Sequence, residues 1–326
     1  MRLLFRTILS LAVAAAFATP FAAPLAAQTY PSKPVTIVVG FTPGAASDLI
    51  ARTVGERLGA VFNQTVIVDN RAGASGNIAA TYVARAPADG HTLLIGVDAI
   101  MTSNVYLFKD IAFDPVKDFR PISNAGANII GLAVAADLPV KNVAELIAYA
   151  KANPGKLSYG SSGIGSPHHL SGELLRKLTG VQITHVPYKG GGAAINDLVG
   201  GHIPMAFLSM SAAVPMLSTG KIKLLAVVEK TRYAGMPELP TIGETVPGFE
   251  MSSWLGFFAP AGTPDAIVAQ LNSEIGKILK SDAVRDKFSA LGFAAAGSTP
   301  AELAETVKTG LEVRGQLIKA AGIQQE

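Results

Sequence analysis

The chain has 326 residues, 27 of them basic and 24 acidic, for a formal net charge of +3. That near-neutral balance gives little ground for a nucleic-acid partner, and the lack of any cysteine excludes disulfides, thiolate chemistry and a lipid-modified amino-terminal cysteine. The length suits two α/β units at roughly 100–200 residues each.

Arg2 and Arg6 precede an apolar run from Thr7 to Phe17, and small residues end at Leu25-Ala26-Ala27 before the polar Gln28-Thr29-Tyr30-Pro31. This is the order of a secretory signal peptide cleaved after Ala27. Residues 1–27 are therefore expected to be removed, which takes away two bases and no acid. A permanent anchor is disfavoured, because the run is shorter than the roughly 20 residues a membrane span needs and Pro20 and Pro24 follow it.

Val35 to Val39 is a β-branched strand that meets a Pro-Gly turn at Phe41-Thr42-Pro43-Gly44 and then a helix over 47–62, with Ser47 or a neighbour as N-cap. Thr65 to Asp69 is a second strand, a turn at Gly73–Gly76 starts a helix to about Ala86, and His91 to Val97 is a third strand. An extended run from Ile122 to Ala136 is expected to cross to a second lobe. There a helix over 143–152 stops at Asn153-Pro154-Gly155, a strand over 157–160 leads to a Gly/Ser loop and a helix over 167–179, and a strand over 183–186 leads to Gly190-Gly191-Gly192 and a helix over 193–199. Strands at 203–207 and 224–228, a return crossing at 248–258, and amphipathic helices at 264–279 and 301–318 complete the chain. Strands alternating with helices predict α/β architecture.

The Pro-Gly turn at 41–44 and the Gly/Ser loop at 160–166 each leave the first backbone N–H groups of a helix unpaired at a strand end, and such a place attracts an anion. Two of them more than a hundred residues apart predict a cleft that closes on a carboxylate. The 160–166 loop is no dinucleotide cradle, since Gly163-x-Gly165-x-x-His168 fails the third glycine and no P-loop lysine follows. It has no Gly-x-Ser-x-Gly elbow either, and no His/Asp pair placed by sequence to activate Ser161, Ser162 or Ser166. An enzyme is not expected.

Several segments taken together carry a family resemblance: Tyr30-Pro31-Ser32-Lys33-Pro34, Phe-x-Pro-Gly-x-x-x-Asp at 41–48, Asp69-Asn70-Arg71-x-Gly73, Gly76-Asn77-Ile78, and Asp89-Gly90-x-Thr92-Leu93-Leu94. Tyr159-Gly160-Ser161-Ser162-Gly163-x-Gly165-Ser166, His185-Val186-Pro187-Tyr188-Lys189-Gly190 and Phe257 to Pro264 continue it. The chain resembles the Bug family, the extracytoplasmic receptors of tripartite tricarboxylate transporters. The resemblance implies a periplasmic protein of the type II periplasmic-binding fold, with two α/β lobes joined by two crossing segments. It divides the mature chain into lobe one (28–122 plus 256–326) and lobe two (123–255). It also implies carboxylate ligands, no cofactor, and a membrane permease with one large and one small subunit as partner. A sensory receptor acting on a membrane signalling partner would use the same cleft.

Carried over by position, the first carboxylate seat is Thr42, Pro43, Gly44, Ala45, Ala46, Ser47 and Asp48, and the second is Ser161, Ser162, Gly163, Ile164, Gly165 and Ser166. Asp48, an anion beside an anion seat, is expected to cap N–H groups of the turn. The chain departs from the family in having Asp98, Ile100 and Met101 after the third strand, and Ile164 and Leu208 where relatives commonly show Asn and Asp. A cleft lined by these favours an aromatic or apolar-bodied carboxylate over citrate, with Asp98 available to a ligand amine or ring N–H. The same side chains pointing into the lobe cores is the alternative. Tyr188 and Lys189 are candidates for the ligand or for a surface or hinge role, Trp254 for core packing, and Asn70 and Arg71 for fixing the turn after the second strand. His168 and His169 lack a third ligand at metal-binding spacing.

Overall fold

The structure is a computed structural model that describes residues 30–325; the expected signal peptide and its cleavage site lie outside them. Tyr30–Ser32 belong to a separate small unit, and the body from Lys33 onward is a single unit. Among the described residues no helix is long and apolar enough to cross a membrane.

In chain order the body runs β1 (Val35–Val39), α1 (Ala46–Phe62), β2 (Val66–Asn70), α2 (Asn77–Ala84), β3 (Thr92–Val97), a wide helical turn Ala99–Ser103, α3 (Asn104–Leu107) and β4 (Phe119–Asn128). It continues through β5 (Ile130–Ala135), α4 (Val143–Ala152), β6 (Leu157–Ser161), α5 (Pro167–Thr179), β7 (Ile183–Pro187), α6 (Gly191–Val199), β8 (Met205–Ser209), α7 (Met210–Leu217) and β9 (Ile222–Val227). The last part is β10 (Trp254–Pro260), α8 (Asp265–Lys280), α9 (Asp282–Ala290), β11 (Phe293–Ala295) and α10 (Pro300–Ala321).

These strands build two sheets, of order β11-β4-β10-β3-β1-β2 and β7-β6-β8-β5-β9. In the first, β1 lies parallel to both β2 and β3, and β10 returns antiparallel between β3 and β4. In the second, β6 lies parallel to β7 and β8, and β5 runs antiparallel to β8 and β9. The run 122–136 passes from one sheet to the other at Ile129, and the chain returns between β9 and β10. Hydrogen bonds hold these two passages together: Asn128 N donates to Ser253 O at 2.9 Å and Met251 N to Val228 O at 3.0 Å.

Each sheet has its own core, as expected of strands buried on both faces. Val38, Leu94, Ile100, Met101, Phe258 and Leu303 cluster on the first, and Leu132, Val134, Tyr159, Leu170 and Phe207 on the second. Each such side chain contributes about 1.5–3 kcal/mol when fully buried. Helix α8 packs against β4 and α1. Helix α10 does more. It packs on β4 and the 99–103 turn but also on α5, and its Ile318 joins the second core together with Leu107 of α3.

Candidate functional site

The carboxyl ends of the parallel strands are where an α/β sheet offers its loops to a ligand. In the first sheet β1 ends in the Gly40–Ala45 turn. Gly44 has φ +85°, a conformation open to glycine, and nothing lies within 4 Å of the place where its Cβ would stand. Gly44 N donates to Asp48 Oδ2 at 2.9 Å and Ala45 N to Thr42 O at 3.2 Å. Helix α1 starts one residue earlier than expected, with Ala45 as N-cap and no side chain capping it. Ser47 sits inside the first turn and is buried, so it does not serve as the cap. The N–H groups of Ala46, Ser47 and Asp48 belong to that uncapped first turn, where an anion is stabilised by the helix dipole.

Asp48 behaves as the turn requires. Its buried carboxylate accepts from Gly44 N, from Arg52 Nε at 3.1 Å and from Asn70 Nδ2 at 3.0 Å, and Arg52 Nη2 lies 2.9 Å from its second oxygen. Burial alone would raise its pKa, but the bonds from Arg52, Gly44 and Asn70 outweigh that and hold it below the usual carboxylate value. With Arg52 beside it, the charge of Asp48 is neutralised and does not repel an anion at the helix start. Asn70 fixes more than its own turn, since its amide also donates to Phe41 O at 3.0 Å. Arg71 is engaged elsewhere: Nε donates to Asp69 at 2.7 Å and its guanidinium lies 3.5 Å over the Tyr82 ring.

The second loop is largely satisfied by its own atoms. Ser161 is fully buried; its Oγ accepts from Gly163 N at 3.1 Å and lies 2.6 Å from His185 Nε2. Ser166 caps α5 by accepting from His169 N at 3.2 Å, and its hydroxyl donates to Gly163 O at 2.7 Å. Gly165 N donates to His169 Nδ1 at 3.0 Å, and the His169 ring stacks on His185 with centroids 3.9 Å apart. Since Pro167 has no N–H, the helix start itself offers little. Ser162, Gly163, Ile164 and Ser166 are half-buried; of the two serine hydroxyls, that of Ser166 is spent on Gly163 O, and Ser162 Oγ lies 2.7 Å from His168 Nδ1. Burial lowers the pKa of His168 and of His169 to about 4, and of His185 to about 3, so all three rings are neutral at neutral pH. Among the described residues no group of side chains is arranged to hold a metal ion.

The two loops are linked from behind. Gly40 and Gly76 approach closely over Ile100, and a Cβ on Gly165 would meet Leu107 of α3. Ile100 and Met101 are thus packed beneath the first turn in the first core, and Leu208 is fully buried among Ala206, Ile195 and Ala213 of the second lobe. The expected apolar lining by these three is corrected: they face the cores, and of the four only Ile164 stays half-exposed. Asp98 is likewise committed. Fully buried, it accepts from Arg314 Nη2 at 3.1 Å and from Ser253 Oγ at 3.3 Å, which leaves it no free role toward a ligand amine. Tyr188 stands behind the second loop, its hydroxyl donating to Asp197 at 2.6 Å and its carbonyl 3.3 Å from where a Gly163 Cβ would be. Lys189 is exposed, and Trp254 is core, packed with Phe258. The residues that sequence reasoning did not single out are Arg52, His185 and Ser209, each of which fixes a loop from a distant segment or from the far side of a helix turn.

The family described as tripartite tricarboxylate transporter family receptor matches residues 50–323. An R. palustris protein, Rpa4515, solved with adipate, is 40% identical and superposes with a TM-score of 0.87 over 91% of this chain and all of that one. The periplasmic binding protein BugD is 32% identical, with a TM-score of 0.83 over 91% of this chain and all of its own. MatC from Rhodopseudomonas palustris, with bound malate, is 33% identical, with a TM-score of 0.80 over 89% of this chain and all of its own.

Proposed function

The chain belongs to the tripartite tricarboxylate transporter receptor family, as a solute-binding receptor of the Bug type and not an enzyme, and on that premise we propose that it captures a small aliphatic dicarboxylate. The ligand lies between the Thr42–Asp48 turn and the Ser161–Ser166 loop. The observation that carries this reading is the uncapped first turn of α1, whose Asp48 is already neutralised by Arg52. One carboxylate takes those N–H groups and the other takes the outward face of the second loop at Ser162. A charge-assisted hydrogen bond contributes about 1.5–3 kcal/mol net, so a few of them hold each end without an arginine on the ligand. With Ile100, Met101 and Leu208 in the cores, the reason to prefer an aromatic body is gone. The adipate found with the 40% identical relative supports a straight aliphatic chain. The two lobes, one built on each sheet and changing over at Ile129 and between β9 and β10 rather than at 122/123 and 255/256, close on the ligand and present it to a permease of one large and one small subunit. The basic, apolar and small-residue order of residues 1–27 supports export to the periplasm.

Adipate at about one hundred times its dissociation constant is expected to raise the unfolding free energy by roughly 2.7 kcal/mol, and to be recovered unchanged. Protein freed of endogenous ligand by unfolding and refolding is titrated with adipate, malate and benzoate in a calorimeter and in a thermal melt. No heat and no shift with any of the three would overturn the receptor's proposed ligand class.

Gly44→Leu tests the first turn. The site is sterically open but the φ of +85° and the backbone approach of a carboxylate both disfavour a side chain. Adipate affinity is expected to fall at least about tenfold, 1.4 kcal/mol, while circular dichroism stays that of the parent. Undiminished affinity in the folded variant places the carboxylate elsewhere.

A further inference from the structure

His168 is the second residue of α5, buried, with an imidazole that bridges two hydroxyls. Its Nδ1 is 2.7 Å from Ser162 Oγ and its Nε2 is 3.3 Å from Ser209 Oγ, at the carboxyl end of β8. Resting on the dicarboxylate reading above, we propose that His168 is the positioning residue of the second loop, turning the Ser162 hydroxyl into a hydrogen-bond donor for the ligand's carboxylate.

The protons of the three groups decide which way the hydroxyl turns. A neutral imidazole carries one N–H and one bare nitrogen, and burial keeps His168 neutral. With the proton on Nε2, the ring donates to Ser209 and Nδ1 accepts the Ser162 hydroxyl hydrogen; Ser162 then turns lone pairs toward the ligand and repels a carboxylate. With the proton on Nδ1, the ring donates to Ser162 Oγ, the Ser162 hydroxyl hydrogen is free to bond the carboxylate, and Ser209 donates into bare Nε2. Only the second arrangement gives the anion a hydroxyl donor while keeping both imidazole nitrogens paired. The neighbouring rings do not have this freedom. His169 Nδ1 accepts from Gly165 N, which locks its proton on Nε2. The Ser161 hydroxyl beside His185 is buried and turned inward. Ser162 with His168 is therefore the outward-facing hydroxyl of this loop whose direction the ligand selects.

The experiment is histidine 15N NMR on the full mature protein, free and saturated with adipate, together with adipate calorimetry on Ser209→Ala and Ser209→Thr. In the adipate complex the His168 resonances are expected to show a protonated Nδ1 and a bare Nε2. Ser209→Ala, which takes away the donor to Nε2, is expected to weaken adipate about fivefold, and Ser209→Thr, which keeps a hydroxyl, to recover most of that loss. A bound His168 protonated on Nε2, or a Ser209→Ala variant with parental affinity, overturns the positioning role while leaving the receptor reading standing. Absence of any adipate or malate heat overturns the dicarboxylate reading, and the positioning role with it.

Discussion

Replacing Arg314 by methionine is expected to destabilise the protein by about 3–5 kcal/mol at pH 8, because it leaves the Asp98 carboxylate buried without its cation. Arg314 projects from α10, and besides Asp98 it reaches the carbonyl of Ser252 and the sulfur of Met251. It therefore ties three things together: the end of β3, the passage by which the chain returns from the second sheet, and the carboxy-terminal helix. Burial raises the Asp98 pKa to about 6, with Arg314 and Ser253 pulling against it. In the parent the carboxyl is thus ionised and paired at pH 8, and protonated in large part at pH 5. Without Arg314 nothing comparable opposes burial, so the group rises further and protonates at neutral pH. The sign follows: the penalty is greatest above pH 6, where the parent gains from the ion pair, and shrinks as the pH falls and Asp98 becomes neutral in both proteins. Urea unfolding at pH 5 and pH 8 measures it, and adding Asp98→Asn to the methionine variant is expected to return part of the loss at pH 8. A penalty below about 1 kcal/mol, or one equal at both pH values, would mean that the pair is not holding the passage.

The alternation of strands and helices was legible because apolar β-branched runs are broken by Pro-Gly and Gly-rich turns, and those same turns mark the loops at the strand ends. What was not legible has local causes. Ala99–Leu107 shows no amphipathic period, since Ile100, Met101, Thr102, Ser103 and Asn104 are all buried, and a helix surrounded on every side carries no stripe. Helix α9 is short and follows α8 after a single non-helical residue, Ser281, and a reading that ends its helix at 279 leaves it out. On β8 the sequence directed attention to Leu208, whereas the side chain that reaches the second loop is Ser209. Adjacent strand residues face opposite sides: Ala206 and Leu208 enter one cluster, Met205 and Phe207 the other, and Ser209 shares the latter side, where α5 brings His168. A departure from a family pattern says that a side chain changed, not which face of the sheet it occupies. The backbone donors were readable from glycine, proline and serine placement, but the side chains that pin them, Arg52, Asn70 and His185, come together only through the fold.

Glu229 carries the other large effect, and its sign is opposite to that of an ordinary paired carboxylate. It follows β9 where the chain leaves the second sheet. One oxygen accepts from Ile130 N at 2.9 Å; the other is buried with no partner among the described residues. Its sequence neighbour Lys230 is directed to Glu250, 3.9 Å away, with both side chains exposed. Burial raises the Glu229 pKa to about 8, against the pull of the Ile130, Glu229 and Val228 N–H groups, so the acid is protonated at neutral pH. Between the unfolded value near 4.5 and the folded value near 8, the native state holds a proton that the unfolded chain has released. Stability from this group is therefore fully present below pH 4.5, is lost as the pH rises toward 8, and levels off above it. At 1.36 kcal/mol per pKa unit the loss is on the order of 5 kcal/mol. A glutamine at this position cannot ionise and keeps a carbonyl for Ile130 N, so Glu229→Gln is expected to gain on the parent steadily from pH 5 to pH 8 and to hold a constant lead beyond. Urea unfolding of both proteins at half-unit steps gives the difference directly, since every other titrating group is common to the two. A difference that stays flat from pH 5 to pH 9 would show Glu229 titrating at its ordinary value, and the passage between the sheets would then carry a solvated carboxylate rather than a buried acid.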